Sequence, residues 1–146
     1  MKVRDLLKSK GFEVIAVDSS ALASSAVNKM VERNIGAVLV MDEGKPVGLF
    51  TERDALRCWI RKGEAACDRI YLKDVMTKDI LIVTPDDDID YAMAIMIERN
   101  IRHLPVVEHG MVISMLSIRD IVRSQISSLE AEIYYLKDYI SDKYPG

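Results

Sequence analysis

Cysteine, histidine and long apolar runs are scarce in this chain of 146 residues. Its two cysteines, Cys58 and Cys67, are too few for a disulfide framework, and their spacing fits no zinc or redox motif. They read as inert, reduced thiols of a cytoplasmic protein. The two histidines, His103 and His109, have no cluster of cysteines or acids around them, so no metal site is expected. They also give no credible Ser/His/Asp or Cys/His arrangement. No Walker A loop, G-x-G-x-x-G or G-x-S-x-G is present, and an enzyme is not expected. No apolar run approaches the ~20 residues that a membrane helix needs. The opening MKVRDLLKSKG lacks the apolar core of a secretory signal. A net charge of −3 offers no basic surface for nucleic acid. What remains is ordinary globular composition, 49% hydrophobic and 29% charged.

The dominant feature is an internal repeat. Displaced by 66 residues, Val14–Ile60 lies on Ile80–Ile126 without a gap, and 13 of the 47 pairs are identical. The block Glu32–Ile35 (ERNI) recurs at Glu98–Ile101. Each copy opens with an apolar run, Val14–Val17 or Ile80–Val83. A helix cap follows, expected at Ser19 or Ser20 in the first copy and at Thr84 in the second, with Pro85 in the first helical position. Ala23, Ala26, Val27, Met30 and Val31 then mark an amphipathic helix, as do Ile89, Ala92, Met93, Met96 and Ile97. Asn34 and Asn100 are placed to end these helices in the left-handed conformation. Two strands joined by a short Gly-containing loop come next: Val38–Met41 with Val47–Thr51, and Leu104–Val107 with Met111–Ser117. A second helix starts near Glu52 or Ile118. The pattern predicts an α/β (α+β) fold of two pseudo-twofold-related β-α-β-β-α units packed sheet to sheet as one folding unit.

Around the repeats, Met1–Lys10 reads as a short helix and Arg61–Lys78 as a polar linker. Ser127–Gly146 reads as a helical tail with Leu129, Ile133, Leu136 and Ile140 in a stripe, and a capping box between Ser127 and Glu130. The expected division is residues 1–66 for the first unit with its N-terminal helix, 67–126 for the second with the linker, and 127–146 for the tail.

Several motifs within the repeats are similar to those of one family. They are Thr84-Pro85-Asp86-Asp87 at a helix start, the strand Arg102-His103-Leu104-Pro105-Val106-Val107, the signature Gly48-Leu49-Phe50-Thr51-Glu52-Arg53-Asp54, and Met76-Thr77 in the linker. In order, spacing and duplication the chain resembles a tandem pair of cystathionine β-synthase (CBS) domains, a Bateman module.

The resemblance implies two clefts that take adenosine nucleotides (AMP, ADP, ATP or NAD) as regulatory ligands, with no cofactor required. Thr51 and Asp54, and likewise Ser117 and Asp120, stand three apart at a strand-to-helix junction. The carboxylate suits both ribose hydroxyls, and the helix start suits a phosphate. Ala37-Val38 and His103-Leu104 are expected to hold the base, with backbone at Val17-Asp18 and Val83-Thr84 reading its edge. Arg102, His103, Arg53 and Arg119 are expected near phosphates, with Pro105 in the same strand motif. A cap role alone for Asp54 and Asp120 is the plainer reading. Ser114 replaces the signature glycine, and Gly36-Ala37 replaces Arg102-His103, so the clefts are expected to be unequal. The resemblance further implies a homodimer and an unidentified regulated protein. The alternative is an interaction module with vestigial clefts.

Overall fold

The computed structural model describes the backbone of residues 1–143 and its side chains other than those of residues 128, 131 and 138–143. Ile140, expected on the tail's stripe, therefore lies outside the described side chains.

The first unit holds strand β1 (Ala16–Asp18), helix α2 (Ala23–Arg33), and strands β2 (Ala37–Asp42) and β3 (Lys45–Thr51), followed by helix α3 (Glu52–Lys62). β1 runs parallel to β2, and β2 antiparallel to β3. The second unit repeats the order with helix α5 (Ile89–Arg99), strands β4 (His103–Glu108) and β5 (Met111–Ser117), and helix α6 (Ile118–Lys143). The duplication extends to backbone detail. Asn34 and Asn100 close α2 and α5 at φ 53° and 54°. Both hairpins turn on two residues of positive φ, Glu43-Gly44 and His109-Gly110, the geometry that matches strand twist. Both shift register at the same point, Val40/Met41 and Val106/Val107.

The units differ at their opening strands. The apolar run Val14–Val17 forms a strand one residue shorter and shifted to Ala16–Asp18, whereas Ile80–Val83 contributes one parallel bridge, Val83 to Val106. The cause is Pro85. In the first unit the Ser19 N–H continues the ladder by donating to Met41 O at 2.8 Å. Its counterpart Pro85 has no N–H to give. The helices also start later than the expected caps. Asp18 Oδ1 accepts from Ser20 N–H, and Asp87 Oδ2 from Thr84 N–H, so these residues close turns before the helices. The N-caps are Leu22 and Asp88, so Ser19, Ser20 and Thr84 do not cap. Nor does Ser127 begin a separate helix: α6 runs unbroken through it.

The cores explain how units of this size are covered. Helix α1 (Val3–Lys10), expected with the first unit, buries Val3, Leu6 and Leu7 in the second core, among Ile89, Met96, Leu104, Leu116 and Ile121. The linker forms a 3-10 turn (Glu64–Asp68) and helix α4 (Leu72–Val75), whose Leu72 is buried in the first core with Met30, Val38, Val40 and Phe50. Each crossing is anchored by equivalent hydrogen bonds. Val3 and Arg4 donate to Asp87 O and Pro85 O, both at 2.9 Å, and Ile89 donates to Met1 O. Leu72 and Lys73 donate to Ala21 O and Ser19 O, and Ala23 to Ile70 O. Ala37, Leu39 and Leu49 are buried on the sheet face away from the first core cluster, so that sheet is covered on both sides.

The cysteines, nine apart in sequence, meet in space: Cys58 Sγ lies 3.2 Å from Cys67 Sγ where α3 faces the 3-10 turn. Burial, reinforced by Cys67, pushes the Cys58 thiol up to about 11, so it stays protonated at neutral pH.

Leu7→Ala should lower stability by about 2–5 kcal/mol, the cost of truncating a fully buried leucine. An unchanged urea midpoint would place α1 outside the core.

Candidate functional site: two composite clefts

Each strand-to-helix junction is a reciprocal cap. Thr51, in extended conformation, ends β3 and starts α3. Its Oγ1 accepts from Asp54 N–H at 3.2 Å, while Asp54 Oδ2 accepts from Thr51 N–H at 3.0 Å and Thr51 Oγ1 at 3.1 Å. Ser117 and Asp120 repeat the arrangement at α6, with Ser117 N–H and Oγ donating at 2.9 and 2.8 Å. Both aspartates thus perform the cap role.

Each carboxylate also takes a third donor, from the segment that precedes a repeat. Thr77 Oγ1 donates to Asp54 at 3.0 Å, and Lys10 Nζ contacts both the Asp120 carboxylate and the Met115 carbonyl. The difference traces to Gly48. A Cβ there would meet Met76 Sδ at 2.7 Å and Thr77 O at 2.8 Å. The missing side chain lets Leu49 and Thr77 exchange backbone hydrogen bonds at 2.9 and 2.8 Å, which sets the Thr77 hydroxyl on Asp54. The equivalent Ser114 is fully buried and donates to Gly11 O at 3.3 Å. The serine therefore faces the N-terminal segment, and a lysine, not a threonine, reaches the second aspartate.

Two clefts open at these junctions, of about 450 and 510 Å³, within the range of small-molecule sites. Both are composite. The first joins Thr51, Arg53 and Asp54 of one unit to Ile80, Leu81 and Arg99–His103 of the other. The second joins Ser117, Arg119 and Asp120 to Ile15 and Asn34–Ala37, with Arg102 and His103 also on its wall. Arg53 clips the units together, its Nη1 donating to Asn100 O at 2.7 Å.

Of the site residues expected from the sequence, Thr51, Arg53, Asp54, Arg102 and His103 line the first cleft. Ala37, Ser117, Arg119 and Asp120 line the second. Val17, Asp18, Val38, Val83, Thr84, Leu104 and Pro105 lie outside both linings. Strand alternation is the reason: Val38, Val83 and Leu104 turn into the helix-covered cores, and only the strand ends face the clefts. Sequence reasoning missed Lys10, Thr77, Ile80, Leu81 and Ile101. A signal for Leu81 was available, since an apolar residue without a place in the core needs another explanation. The crossed construction also reassigns the cations. Arg102 and His103 line both clefts, with Asp54 in the first and with Asp120 and the Gly36-Ala37 wall in the second.

The sequence profile of the CBS domain matches residues 3–60 and 72–127. The chain belongs to the CBS-domain family. CBS domain-containing protein CBSX3, mitochondrial, from Arabidopsis thaliana is 33% identical over 154 residues, covering 97% of this chain and 73% of its own. The crystal structure of CBS-domain containing protein ATU1752 from Agrobacterium tumefaciens is 32% identical with a TM-score of 0.83, over 86% of this chain and 99% of that one. The CBS domain protein PAE2072 from Pyrobaculum aerophilum, complexed with AMP, shares the fold at 24% identity and a TM-score of 0.71, over 82% of this chain and 89% of that one. None of the described helices is long and apolar enough to cross a membrane.

Two groups give this CBS pair a pH dependence. Burial lowers the pKa of His103, as do Lys10 and Arg102, against the opposing pull of Glu52 and Asp120. Burial raises the Asp120 carboxyl, but the Lys10 ammonium and the Ser117 donors outweigh it, and the net shift is downward. An unfolded histidine gains its proton near pH ~6.5, while His103 in the fold resists it. The unfolded state then binds more protons, and stability falls as pH drops below that value. Asp120 adds a further loss below pH ~4, where an unfolded aspartate is already protonated. Urea unfolding between pH 7 and 5 should show wild type losing stability more steeply than His103→Gln; equal slopes would exclude His103 as the cause.

Proposed function

We propose that this CBS pair is a regulatory module, not an enzyme, that senses an adenosine nucleotide and signals to a partner protein by a change of shape. The observation that carries the reading is the first composite cleft. It sets a carboxylate, a helix start, apolar walls and four arginines around one space large enough for a nucleotide. In this reading Asp54 accepts the ribose hydroxyls, Ile80, Leu81 and Ile101 flank the base, and Arg99, Arg102 and the α3 N-terminus take phosphate. The AMP complex of PAE2072 supports the ligand class.

The first cleft is the stronger site. At Asp54 a ribose displaces the neutral Thr77 hydroxyl, with Arg57 standing off at 3.8 Å, whereas at Asp120 it must displace the Lys10 ammonium, which contacts the carboxylate directly. Charge-assisted bonds are about twice as strong as neutral ones. Displacing the Thr77 hydroxyl removes one of the contacts that hold the linker beside β3, the backbone pairing with Leu49 remaining, which gives ligand binding a route to shape. A signal of this kind requires the ligand to favour one of two states. A reducing compartment such as the cytoplasm would keep the Cys58 and Cys67 thiols, 3.2 Å apart, unbridged.

A second reading has a specific observation in its favour. Both aspartates are already engaged as caps, so the clefts fit a vestigial site in an interaction module. The two readings diverge under calorimetric titration. AMP, ATP or NAD should bind, with Asp54→Asn or Arg102→Ala weakening affinity about 10–100-fold, the loss of one charge-assisted hydrogen bond. Asp120→Asn should change it less than about threefold. No heat, and no rise in melting temperature at millimolar nucleotide, would favour the vestigial reading.

The module is also read as a homodimer. Leu56 and Ile60 on α3 and their repeat-mates Val122 and Ile126 on α6 are all exposed, and apolar helix faces of this kind mark an interface. Sedimentation at micromolar concentration should report about 33 kDa, twice the 16.5 kDa chain. A 16.5 kDa species would overturn the dimer.

A further inference from the structure

Helix α6 outruns the repeat that it closes. Its counterpart α3 stops at Lys62, and the CBS match ends at residue 127, yet α6 continues to Lys143. Ile118 and Ile121 tie its first turns to the second core. From Gln125 to Lys137 every described side chain is exposed. An unsupported helix of that length is marginal in water.

Its apolar residues have a specific period. Val122, Ile126, Leu129, Ile133, Leu136 and, in the sequence, Ile140 follow one another at steps of 4, 3, 4, 3 and 4. That is the narrow seam of a heptad repeat, not the broader stripe by which a helix packs on a globular body. With Ile126, Ile133 and Ile140 at position a, position d holds Val122, Leu129 and Leu136. Isoleucine at a with leucine at d favours two parallel strands. The flanking charges agree. Glu132 at g and Lys137 at e are five residues apart, the pair that meets across a parallel seam. The preceding pair, Gln125 and Glu130, carries a single charge and does not repel.

We propose that the seam is filled by α6 of a second copy of this chain, running parallel as a short two-stranded coiled coil. The inference rests on the dimer reading and deepens it by naming which faces meet and in which direction. The seam starts at Val122, beside the core-anchored Ile121, so it is continuous with the folded body. The second CBS unit of one protomer then lies beside the second unit of its partner. The body already holds the opening turns of α6, so the coil need not bear the cost of helix nucleation.

Thiol cross-linking of the full chain tests the direction of pairing. With Cys58→Ala and Cys67→Ser in place, Ile133→Cys puts one thiol at an a position, which faces its own copy only in a parallel coil. Oxidation with copper-phenanthroline should convert most of this variant to a covalent dimer. Tyr134→Cys, on the outer face at position b, should stay largely uncross-linked. If the cysteine replacements unfold the chain, Ile133→Cys in the native background, with linkages mapped by mass spectrometry, gives the same answer. Ile133→Lys should raise the dimer dissociation constant by at least about tenfold. Glu132→Lys should weaken the dimer, and Lys137→Glu added to it should restore it. A dimer that fails to cross-link at position 133, or tolerates Ile133→Lys, overturns the parallel seam and leaves the dimer standing. A monomeric wild type overturns both.

Discussion

Neither repeat covers its own sheet with the helix that leads into it. The segment preceding the first repeat lies in the second core, and the segment preceding the second lies in the first. Equivalent backbone hydrogen bonds anchor the two crossings at the turns that open α2 and α5. The clefts follow from this exchange. The strand ends and capped junctions of the two units are brought face to face, and each cleft takes its carboxylate from one unit and its opposing wall from the other.

Within that frame the two aspartates occupy equivalent positions in unequal settings. One absent side chain, at Gly48, allows the linker backbone to pair with β3 and to hand a hydroxyl to Asp54. A serine at the matching place keeps a different segment close and leaves Lys10 on Asp120. The two repeats share one backbone plan, and the asymmetry arises from side chains at the segments that cross.

The sequence carried the duplication, the strand-helix order, the left-handed asparagines and both Thr/Ser-x-x-Asp junctions. Each of these is a local signal, read within a few residues. Two kinds of feature were hidden. Helix starts moved because Asp18 and Asp87 close turns with nearby backbone, a competition that cap propensity alone does not resolve. Which residues of one unit face the carboxylate of the other was hidden as well, because contacts between residues such as Arg53 and Asn100, or Lys10 and Asp120, leave no local trace. The base-holding role expected for Val38 and Leu104 met the same limit: strand alternation gives two faces, and only the tertiary structure says which one a helix covers.

The exchange of leading helices also shapes the order in which the chain matures. The first core holds no residue later than Met76 in sequence, so it has all its parts while the second repeat is still being made. Helix α1 is synthesised before either repeat, yet its partners extend to Ile121. Val3, Leu6 and Leu7 must wait, unburied, for most of the polypeptide to emerge. Closing so long a loop slows the search more than it weakens the product. On a ribosome, the N-terminal helix is the last clasp to shut and the surface in most need of protection until it does.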